Sequence, residues 1–290
     1  MHTHSTASDG VLTPARLLQE AQARGVQVLA LTDHDTTDGL AEAAAAGRAR
    51  GIDVIPGVEI NTDVGPHEVH ILGYFVDHTR AAFQEFLGRM RDGRIARAEE
   101  MVRRLAALGA PVSWERVQVI AAGAAVGRPH VARALLEAGW VGTNQEAFAR
   151  YLGRSGPAYV ARLKLTPEGA VEEIRRAGGV PVLAHPGWPQ SGPIIERVPQ
   201  LVAHGLAGIE AYYPDHTAGM IAAYLDVARR YGLVVTGGTD YHGGGIATRV
   251  PLGSVALPPE VVPGLRARWA RLGDGEGAPN AAPPGTPPRH

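Results

Sequence analysis

The sequence predicts a protein of the α/β class, built on a largely parallel sheet or barrel that is interrupted by a helical segment. Three observations support this prediction. Strand-like and helix-like segments alternate in the first third of the chain and again after Tyr159. Between Thr79 and Gly153 the pattern is helical, with almost no strand signal, and clusters of polar residues follow the predicted strands. Such alternation is typical of parallel strands joined by helical crossovers.

The first third contains two predicted helices and three predicted strands. Thr13 is a suitable N-cap for the first helix, and Pro14 suits the first helical position. Short runs of Val, Ile and Leu predict buried strands, whereas apolar residues three or four apart predict helices. We predict helices over Pro14–Arg24 and Gly39–Arg50, and strands over Val26–Leu31, Val54–Ile60 and His70–Val76.

Residues 79–155 are predicted to form a helical insertion or cap. Arg80–Leu108 carries apolar residues at helical spacing among many arginines, and Pro129–Ala138 and Gln145–Leu152 are shorter amphipathic segments. The arginines between residues 89 and 104 suggest contact with RNA phosphates, but acidic residues alternate with them. This alternation favours a solvated, salt-bridged helix face.

The alternation of strands and helices resumes in the last third. We predict helices over Pro167–Ala177, Pro193–His204, Ala218–Tyr231 and Pro259–Leu272, and strands over Val180–Ala184, Gly208–Tyr212 and Leu233–Thr236. Residues 274–290 are rich in Gly, Pro and Ala without periodicity, which predicts a disordered tail. The predicted core domain therefore comprises residues 1–78 and 156–273.

The composition narrows the classes of function. Lys and Arg number 28 against 29 Asp and Glu, so no general field attracts nucleic acid, and a small phosphorylated ligand fits better. The chain has no cysteine, so any metal must bind nitrogen and oxygen ligands. No signal peptide and no membrane-spanning apolar run is evident. By default we expect a cytoplasmic protein without a membrane contact, and no protein partner is evident.

Polar clusters occur where the predicted strands end. His2 and His4 are two residues apart, so in an extended segment both imidazoles face the same side. Asp240 and His242 repeat this spacing after the last predicted strand. Asp33-His34-Asp35 follows the strand over 26–31, Glu59 ends the strand over 54–58, and His185 follows the strand over 180–184. This edge of a β/α barrel carries its chemistry.

Each cluster alone has an ordinary structural explanation, because a lone His or Glu after a strand usually supports the fold. His70 fits less well, since it precedes its apolar run; either its strand starts late or it lies in a loop. Together the clusters would bury many ionisable groups at one edge, which is costly unless cations neutralise them. We therefore predict a metal centre.

At six places, in order along the chain, the sequence resembles the motifs of the PHP (polymerase and histidinol phosphatase) family. These are His2-Thr-His4-Ser, Thr32-Asp-His34-Asp35, Gly57-Val-Glu59, His70-Ile-Leu-Gly, Ala184-His185-Pro-Gly and Gly238-Thr-Asp240-Tyr-His242-Gly. The resemblance spans nearly the whole chain except the helical middle and the tail. It implies the PHP fold, a distorted seven-stranded (β/α)7 barrel.

Three further places resemble one subgroup of that family. They are Pro14, Arg128-Pro-His130 and Tyr213-Pro-Asp-His216-Thr. The subgroup includes 3′,5′-nucleoside bisphosphate phosphatases and short-RNA 5′→3′ exoribonucleases. A small phosphorylated nucleotide or a short oligoribonucleotide is therefore the expected substrate.

The resemblance also implies three metal sites. One ion would take His2, His4, Glu59 and Asp240; a second would share Glu59 and add His70 and His185; a third would take Asp9, His34 and His242. Some relatives have His where this chain has Asp9. The aspartate here still supplies a metal ligand, through a carboxylate oxygen. We expect two or three divalent ions, and the all-N/O ligand set suits Mn, Fe or Zn.

The start of the chain departs from the family pattern. Relatives usually have several residues, forming the first barrel strand, before the His-x-His motif, which here begins at residue 2. Two ligands would then depend on a chain end that can fray. We expect a version of the protein extended upstream to bind its first metal more tightly; equal affinity would contradict this.

The implied mechanism needs no protein nucleophile. Bridged ions would lower the pKa of a shared water and supply a metal-bridging hydroxide for in-line attack on the phosphate. We assign catalytic roles to Glu59, as the bridging carboxylate, and to Asp240 and His185. Ser5 and Ser8 lack an evident triad.

Residues outside the metal ligands must select the substrate. Arg128, His130 and His216 are candidates for gripping a second phosphate, which Arg does by bidentate hydrogen bonds. The alternatives are a surface residue at a helix start for Arg128, a helix-surface histidine for His130, and capping or simple exposure for His216. Asp33 and Asp35 are expected to orient ligating histidines, since each needs an acceptor for its other N–H.

Several functions compete. The leading hypothesis is a phosphatase that releases the 3′-phosphate of a nucleoside 3′,5′-bisphosphate, converting pAp to AMP. A short-RNA 5′→3′ exoribonuclease would use the same centre, and a histidinol-phosphate phosphatase would need no second phosphate site. The sequence disfavours an amidohydrolase-type deaminase, because of its Gly-Thr-Asp-Tyr-His-Gly ending, and a non-enzymatic metal-stabilised regulatory domain, because all nine ligand positions are filled.

Overall fold

The computed structural model describes residues 1–121, 126–161, 165–244 and 250–273, and the predicted tail lies outside these residues. Six strands form one curled, half-barrel sheet in the order β1 to β6. They are β1 (Val28–Leu31), β2 (Asp53–Val64), β3 (His67–Tyr74), β4 (Val180–Leu183), β5 (Gly208–Tyr212) and β6 (Val234–Gly237). The α/β class is confirmed.

The sheet is mixed, because β3 runs antiparallel to both of its neighbours. Only two residues, Gly65 and Pro66, separate β2 from β3, and so short a connection can join only antiparallel strands. The start of β3 was predicted at His70, because His67 and Glu68 are polar and do not continue the apolar pattern of the strand. His70 therefore lies within a strand, so both alternatives that the sequence left open for it were wrong.

Glu59 also lies inside a strand instead of at its end. The parallel pairing of β1 with β2 stops at Leu31 and Pro56, and beyond that point β2 pairs with β3 and keeps one isolated parallel bridge, between Glu59 and His34. The end predicted for this strand therefore lies close to the point at which β2 stops pairing with β1 and begins to pair with β3. Glu59 is thus placed just past the carboxyl end of β1.

The helices surround the sheet and occupy the middle of the chain. They are α1 (Pro14–Ala23), α2 (Leu40–Arg50), α3 (Ala81–Ala107), α4 (Trp114–Ala121), α5 (Arg128–Glu137), α6 (Asn144–Ala147), α7 (Pro167–Arg176), α8 (Val198–Ala203), α9 (Ala218–Tyr231) and α10 (Val261–Gly273). Most bounds agree with the predicted ones to within two residues. The exceptions are α6, which continues as a π-helix over Phe148–Leu152, α8, which follows a 3₁₀ turn over Ile194–Arg197, and α4, which was not predicted.

The α3 helix connects two hydrophobic cores. Its 27 residues give it a length of about 40 Å. Near its start, Phe83 and Leu87 pack into the core between the sheet and its outer helices. Near its end, Met101 and Leu105 pack with α4 and α5 in a separate core. The helical segment is therefore attached to the sheet by a continuous helix.

The N-terminal segment completes the sheet's carboxyl edge. Thr3 accepts a hydrogen bond from the Thr32 N–H (2.9 Å), and His4 donates its N–H to the Tyr241 carbonyl (2.8 Å). Residues 2–4 thus lie between the end of β1 and the segment after β6. Within the described ranges, no helix is long and apolar enough to cross a membrane.

Candidate metal centre

The N-terminal segment directs two imidazoles into the protein. His2 and His4 are both 0% exposed, and Thr3 between them forms a parallel bridge with Tyr241. The Thr3 hydroxyl donates to the Ala30 carbonyl at 2.7 Å, so its side chain points away from the imidazoles. The alternation of an extended chain therefore places both histidines on the interior side.

Glu59 lies at the middle of the cluster and is 1% exposed. Its Oε2 is 3.2 Å from His2 Nε2, 3.2 Å from His4 Nε2 and 3.1 Å from His34 Nδ1; its Oε1 is 2.8 Å from His70 Nδ1 and 3.1 Å from His185 Nε2. A carboxylate has about four lone-pair sites. Five imidazoles around one carboxylate therefore exceed what hydrogen bonding alone would satisfy.

Eight of the nine residues expected to bind metal fall into three overlapping groups, and within each group the ligand atoms lie within 4.8 Å of one another. The groups are His2, His4, Glu59 and Asp240; His34, Glu59 and His70; and His4, Asp9, His34 and His242. His185 reaches the second group through its contact with Glu59. Compared with the implied sets, His34 also approaches the second group and His4 also approaches the third.

Several of these donor atoms are buried without a hydrogen-bond partner among the described residues. They are His2 Nε2, both ring nitrogens of His4, Glu59 Oε2, His185 Nδ1 and Asp240 Oδ1. The shortest approach between the first group's histidines and Asp240 is 3.0 Å, from His4 Nε2 to Asp240 Oδ1. Unpartnered buried polar atoms are costly. Their convergence fits a bound cation, and a nitrogen and oxygen donor set suits a divalent transition metal.

The carboxylates raise the pKa of buried histidines in the cluster. Burial lowers the pKa of His4, but the close carboxylates of Asp240 and Glu59 outweigh it and raise the pKa to about 10. Burial is likewise outweighed by Glu59 and Glu68 at His70, whose pKa rises to about 9. Conversely, the histidines hold the pKa of Glu59 and Asp240 well below the usual range despite burial. The cluster is thus built to hold positive charge, as protons or as metal ions.

Three non-glycine residues at this edge have left-handed backbone conformations: Asp35 (φ 52°), His185 (φ 22°) and Asp240 (φ 48°). Such conformations cost of the order of 1–3 kcal/mol each and persist where surrounding contacts hold them. The Asp35 N–H donates to the Glu59 carbonyl at 3.0 Å, and the His185 N–H donates to Glu210 Oε2 at 2.9 Å. Two of these residues, His185 and Asp240, are expected metal ligands, and Asp35 follows the expected ligand His34.

Glu210, in β5, is a site residue that sequence reasoning missed. It is 0% exposed, and both of its carboxylate oxygens lie 3.2 Å from His2 Nδ1. It therefore directs His2 Nε2 toward Glu59 while also holding the His185 backbone. A signal was available, since a glutamate in the apolar strand Gly208–Tyr212 is hard to explain unless it has a buried partner.

Asp33 and Asp35 do not contact the ligating imidazoles as expected. Asp33 accepts hydrogen bonds from the hydroxyls of Ser5 (2.7 Å) and Ser8 (2.6 Å), which organises the loop leading to Asp9. Asp35 contacts the amide of Asn61 (3.3 Å), which in turn lies 3.1 Å from His34 Nδ1. Asp35 thus acts on His34 through Asn61.

Arg128 connects the helical segment to the cluster. Its Nη2 donates to Glu68 Oε2 at 2.8 Å, and Glu68 Oε1 lies 3.2 Å from His70 Nε2. Its guanidinium also lies 5.7 Å and 5.9 Å from the ring centroids of Phe148 and Tyr159. Arg128 is therefore two side chains away from Glu59, with 17% of its side chain exposed.

The two histidines expected to bind phosphate have different surroundings. His130 accepts a hydrogen bond from the Gly127 N–H at 2.9 Å and lines a cavity of about 650 Å³ that also contains Asp9. His216 uses both ring nitrogens on backbone groups, the Gly187 N–H (3.2 Å) and the Ala211 carbonyl (2.8 Å). His216 thus ties together the loops that follow β4 and β5.

A cluster of nitrogen and oxygen donors at the carboxyl edge of a curled α/β sheet is a suitable site for metal-dependent hydrolysis. A solved structure from Bifidobacterium adolescentis, described as that of a metal-dependent phosphoesterase, superimposes with a TM-score of 0.85 and is 31% identical. The alignment covers 92% of this chain and 94% of that one. The fold and the site define a metal-dependent phosphoesterase.

The family follows from sequence comparison. The family model of the PHP domain matches residues 1–101. A 3′,5′-nucleoside bisphosphate phosphatase of Chromobacterium violaceum is 38% identical, over 94% of this chain and 96% of that protein. The 5′-3′ exoribonuclease Rnm of Salmonella typhimurium is 36% identical, over 83% and 84% respectively. The chain belongs to the PHP family.

Proposed function

We propose that this PHP protein is a phosphatase that hydrolyses the 3′-phosphate of a nucleoside 3′,5′-bisphosphate and leaves a 5′-mononucleotide. The observation that carries the proposal is the cluster formed by Glu59 and eight further candidate ligands, in a chain that aligns over 94% of its length with a relative of that named activity. The buried, unpartnered ligand atoms support a metal-dependent reaction.

The nine donors would hold two or three divalent ions of Mn, Fe or Zn. His2, His4, Glu59 and Asp240 would hold the first, Glu59, His70 and His185 the second, and Asp9, His34 and His242 the third. When bound, the ions lower the pKa of water and neutralise charge on the phosphate. The buried ligand atoms would hold the ions at fixed positions before the substrate binds.

Three residues of the chain carry the proposed catalytic roles. Glu59 is shared between groups and sets the spacing of the site. Asp240 is held by the hydroxyl of Tyr213, which donates to its Oδ2 at 3.3 Å. His185 is fixed by Glu210 through its backbone. Holding these groups in place before the substrate binds lowers the reorganisation that the reaction requires.

Arg128 is proposed to bind the second phosphate. It stands on α5 at the junction with the sheet, and Glu68 holds it next to His70. One amino group contacts Glu68, which leaves other N–H donors for a phosphate. His130 would act from the cavity that it shares with Asp9, and His216 would have to give up one of its backbone bonds.

The helical segment, residues 79–155, is proposed to act as a cap on a barrel domain formed by residues 1–78 and 156–273. Arg94 of the helical segment contacts Asp35 Oδ2 at 2.5 Å. Asp35 directly follows the proposed ligand His34 in the chain. Arg154 adds a second contact, to Asp63. These ion pairs support a cap that meets the sheet at its chemical edge.

The second candidate function is 5′→3′ trimming of short RNA. The cavity of about 650 Å³ beside Asp9 favours it, because a cavity of this size offers room for a further nucleotide. Arg116 and Arg133 lie in its wall and share Glu137 as their partner, so with Asp9 the wall carries two positive and two negative side chains. The same metal centre would serve both reactions.

The deciding experiment is incubation of the purified protein with adenosine 3′,5′-bisphosphate and Mn²⁺, with an EDTA control. Metal-dependent formation of phosphate and AMP is the expected result. No release of phosphate would overturn the bisphosphate proposal. Short 5′-phosphorylated RNA and histidinol phosphate, assayed in parallel, then identify which competing hydrolysis takes place.

Arg128→Ala tests the second phosphate site. We expect kcat/KM for the bisphosphate to fall at least tenfold, since a charged hydrogen bond contributes about 1.5–3 kcal/mol, while hydrolysis of a substrate with one phosphate changes little. Arg150→Ala, at an exposed arginine of the helical segment that also pairs with a glutamate, is the matched control. Equal losses on both substrates would show that Arg128 acts only through Glu68 and His70.

A further inference from the structure

A second cavity opens beside the candidate metal centre, between the loops that follow β4 and β5. Its volume is about 410 Å³, and Trp188, Pro189, Tyr213, Pro214 and Asp240 are among its lining residues. We call it the Trp188 pocket. Asp240 and His242, at its inner end, are proposed metal ligands, and the function proposed above gives the other lining residues of the pocket no role in binding substrate.

The Trp188 pocket adjoins the ligand cluster directly. The Trp188 ring lies 5.3 Å from the ring of His70 and 5.5 Å from that of His185. Across the pocket, the Tyr213 hydroxyl donates to Asp240 Oδ2, and its ring lies 5.3 Å from His185. A substituent of a phosphate held at the cluster would therefore emerge next to these two aromatic rings.

The lining selects an uncharged, flat group. Trp188 is half-buried, and two prolines beside the aromatic residues stiffen the walls. Among the described lining residues there is no lysine or arginine; Asp215 carries negative charge, and Asp240 and His242 are proposed metal ligands. Apart from those two ligands, the described lining residues offer no cationic partner for a second phosphate. An aromatic ring system would stack on Trp188, because stacking depends on the flat face and tolerates different bases.

The pocket is also pre-formed. His216 joins its two loops through the Gly187 N–H and the Ala211 carbonyl. A Cβ on Gly187 would lie 2.1 Å from Met220, so the loop before Trp188 is packed closely against α9. A rigid wall reduces the ordering cost of binding.

We propose that the Trp188 pocket binds the nucleobase of the substrate, with Trp188 stacked on the base. The proposal rests on the proposed function and deepens it, since it makes the enzyme selective for nucleotides over phosphate esters that lack a base. The phosphates then lie toward the metal ligands and Arg128, and the base lies toward the two loops.

The test compares two substrates, adenosine 3′,5′-bisphosphate and its abasic tetrahydrofuran analogue. We expect the wild-type protein to prefer the adenosine compound. In Trp188→Ala, the KM for the adenosine compound should rise about 10- to 100-fold, because base stacking is lost. The kcat of Trp188→Ala for the adenosine compound, and its kcat and KM for the abasic analogue, should stay within about twofold of the wild-type values. Trp188→Phe should retain most of the preference, and Trp140→Ala, at an exposed tryptophan of the helical segment, should retain all of it.

Equal wild-type rates on both compounds, or equal losses on both in Trp188→Ala, would overturn the proposal and leave the phosphatase function standing. A binding measurement is independent of turnover. AMP should quench the fluorescence of the wild-type protein, and Trp188→Phe should abolish this quenching. If neither bisphosphate is hydrolysed, the proposed function fails, and the quenching alone decides the pocket: its presence supports base binding and its absence contradicts it.

Discussion

Two glutamates shape the centre at the scale of single residues. Glu59 contacts five imidazoles, and Glu210 contacts two of the proposed metal ligands, the ring of His2 and the backbone of His185. Both carboxylates are buried, and burial raises the pKa of Glu210, but the charge of His2 and His185 outweighs it and lowers that pKa. Such supporting carboxylates fix the orientation of histidine ligands.

Glu210→Gln should reduce metal affinity and kcat about 10- to 100-fold, the usual cost of losing a partner behind a metal ligand. The amide keeps the size of the side chain but removes the charge that orients His2. The matched control is Glu172→Gln, because Glu172 contacts the exposed His204 at 2.8 Å, far from the cluster in a helix. Metal content and activity are to be measured together. An unchanged metal affinity would show that Glu210 serves only the fold.

Metal binding should release protons. His4 and His70, with pKa values of about 10 and about 9, are protonated in the metal-free protein at pH 7. A ligating imidazole must be neutral, so we expect the release of about two protons or more and an affinity that rises with pH up to about 9–10. Calorimetric titration with Mn²⁺ in two buffers of different ionisation enthalpy measures this. Release of no proton would contradict the protonated state.

At the scale of elements, the N-terminal segment and the segment after β6 are packed without spare room. A Cβ on Gly238 would lie 2.5 Å from both the Cβ and the backbone nitrogen of His2. Neither is a flexible side-chain end. The position of His2 is therefore set by the absence of a side chain at residue 238.

Gly238→Ala should displace His2 and lower the activity at least about tenfold, since a shift of 1 Å at a reacting site can cost about 100-fold. Gly88→Ala, in α3, is the control, because nothing lies within 4 Å of its added Cβ. Circular dichroism should show both variants folded. If Gly238→Ala retained full activity and metal affinity, the N-terminal segment would be adaptable and not fixed.

At the scale of the whole molecule, metal binding should be coupled to stability. At a metal concentration 100 times its Kd, mass action stabilises the native state by about 2.7 kcal/mol. For a chain of 290 residues this raises Tm by about 4–5 °C. The Tm is to be measured by thermal unfolding with EDTA, with Mn²⁺ and with K⁺ at equal ionic strength. A Tm that is the same in all three would mean that metal does not bind the native state preferentially.

Much of the fold was predictable because its signals are local. The caps Thr13, Thr166 and Thr217 each precede a helix, and apolar runs mark β4, β5 and β6. The direction of β3 was not predictable from its own residues, because it depends on the pairing of β3 with β2 and β4. The helix α4, of eight residues, was missed although Trp114, Val117 and Ile120 recur at helical spacing and pack into the core of the helical segment.

The sequence by itself determined the chemistry of this protein: which residue types can bind metal, and that several of them follow the strands of an α/β sheet. Short apolar runs and the polar residues after them suffice for that, because they are neighbours in the chain. Only the tertiary structure decided which atoms meet. Glu210 reaches His2 from 208 residues away, and Trp188 lies against His70, on a strand that precedes the whole helical segment. Contacts between distant residues depend on how the whole chain packs, which no local pattern records.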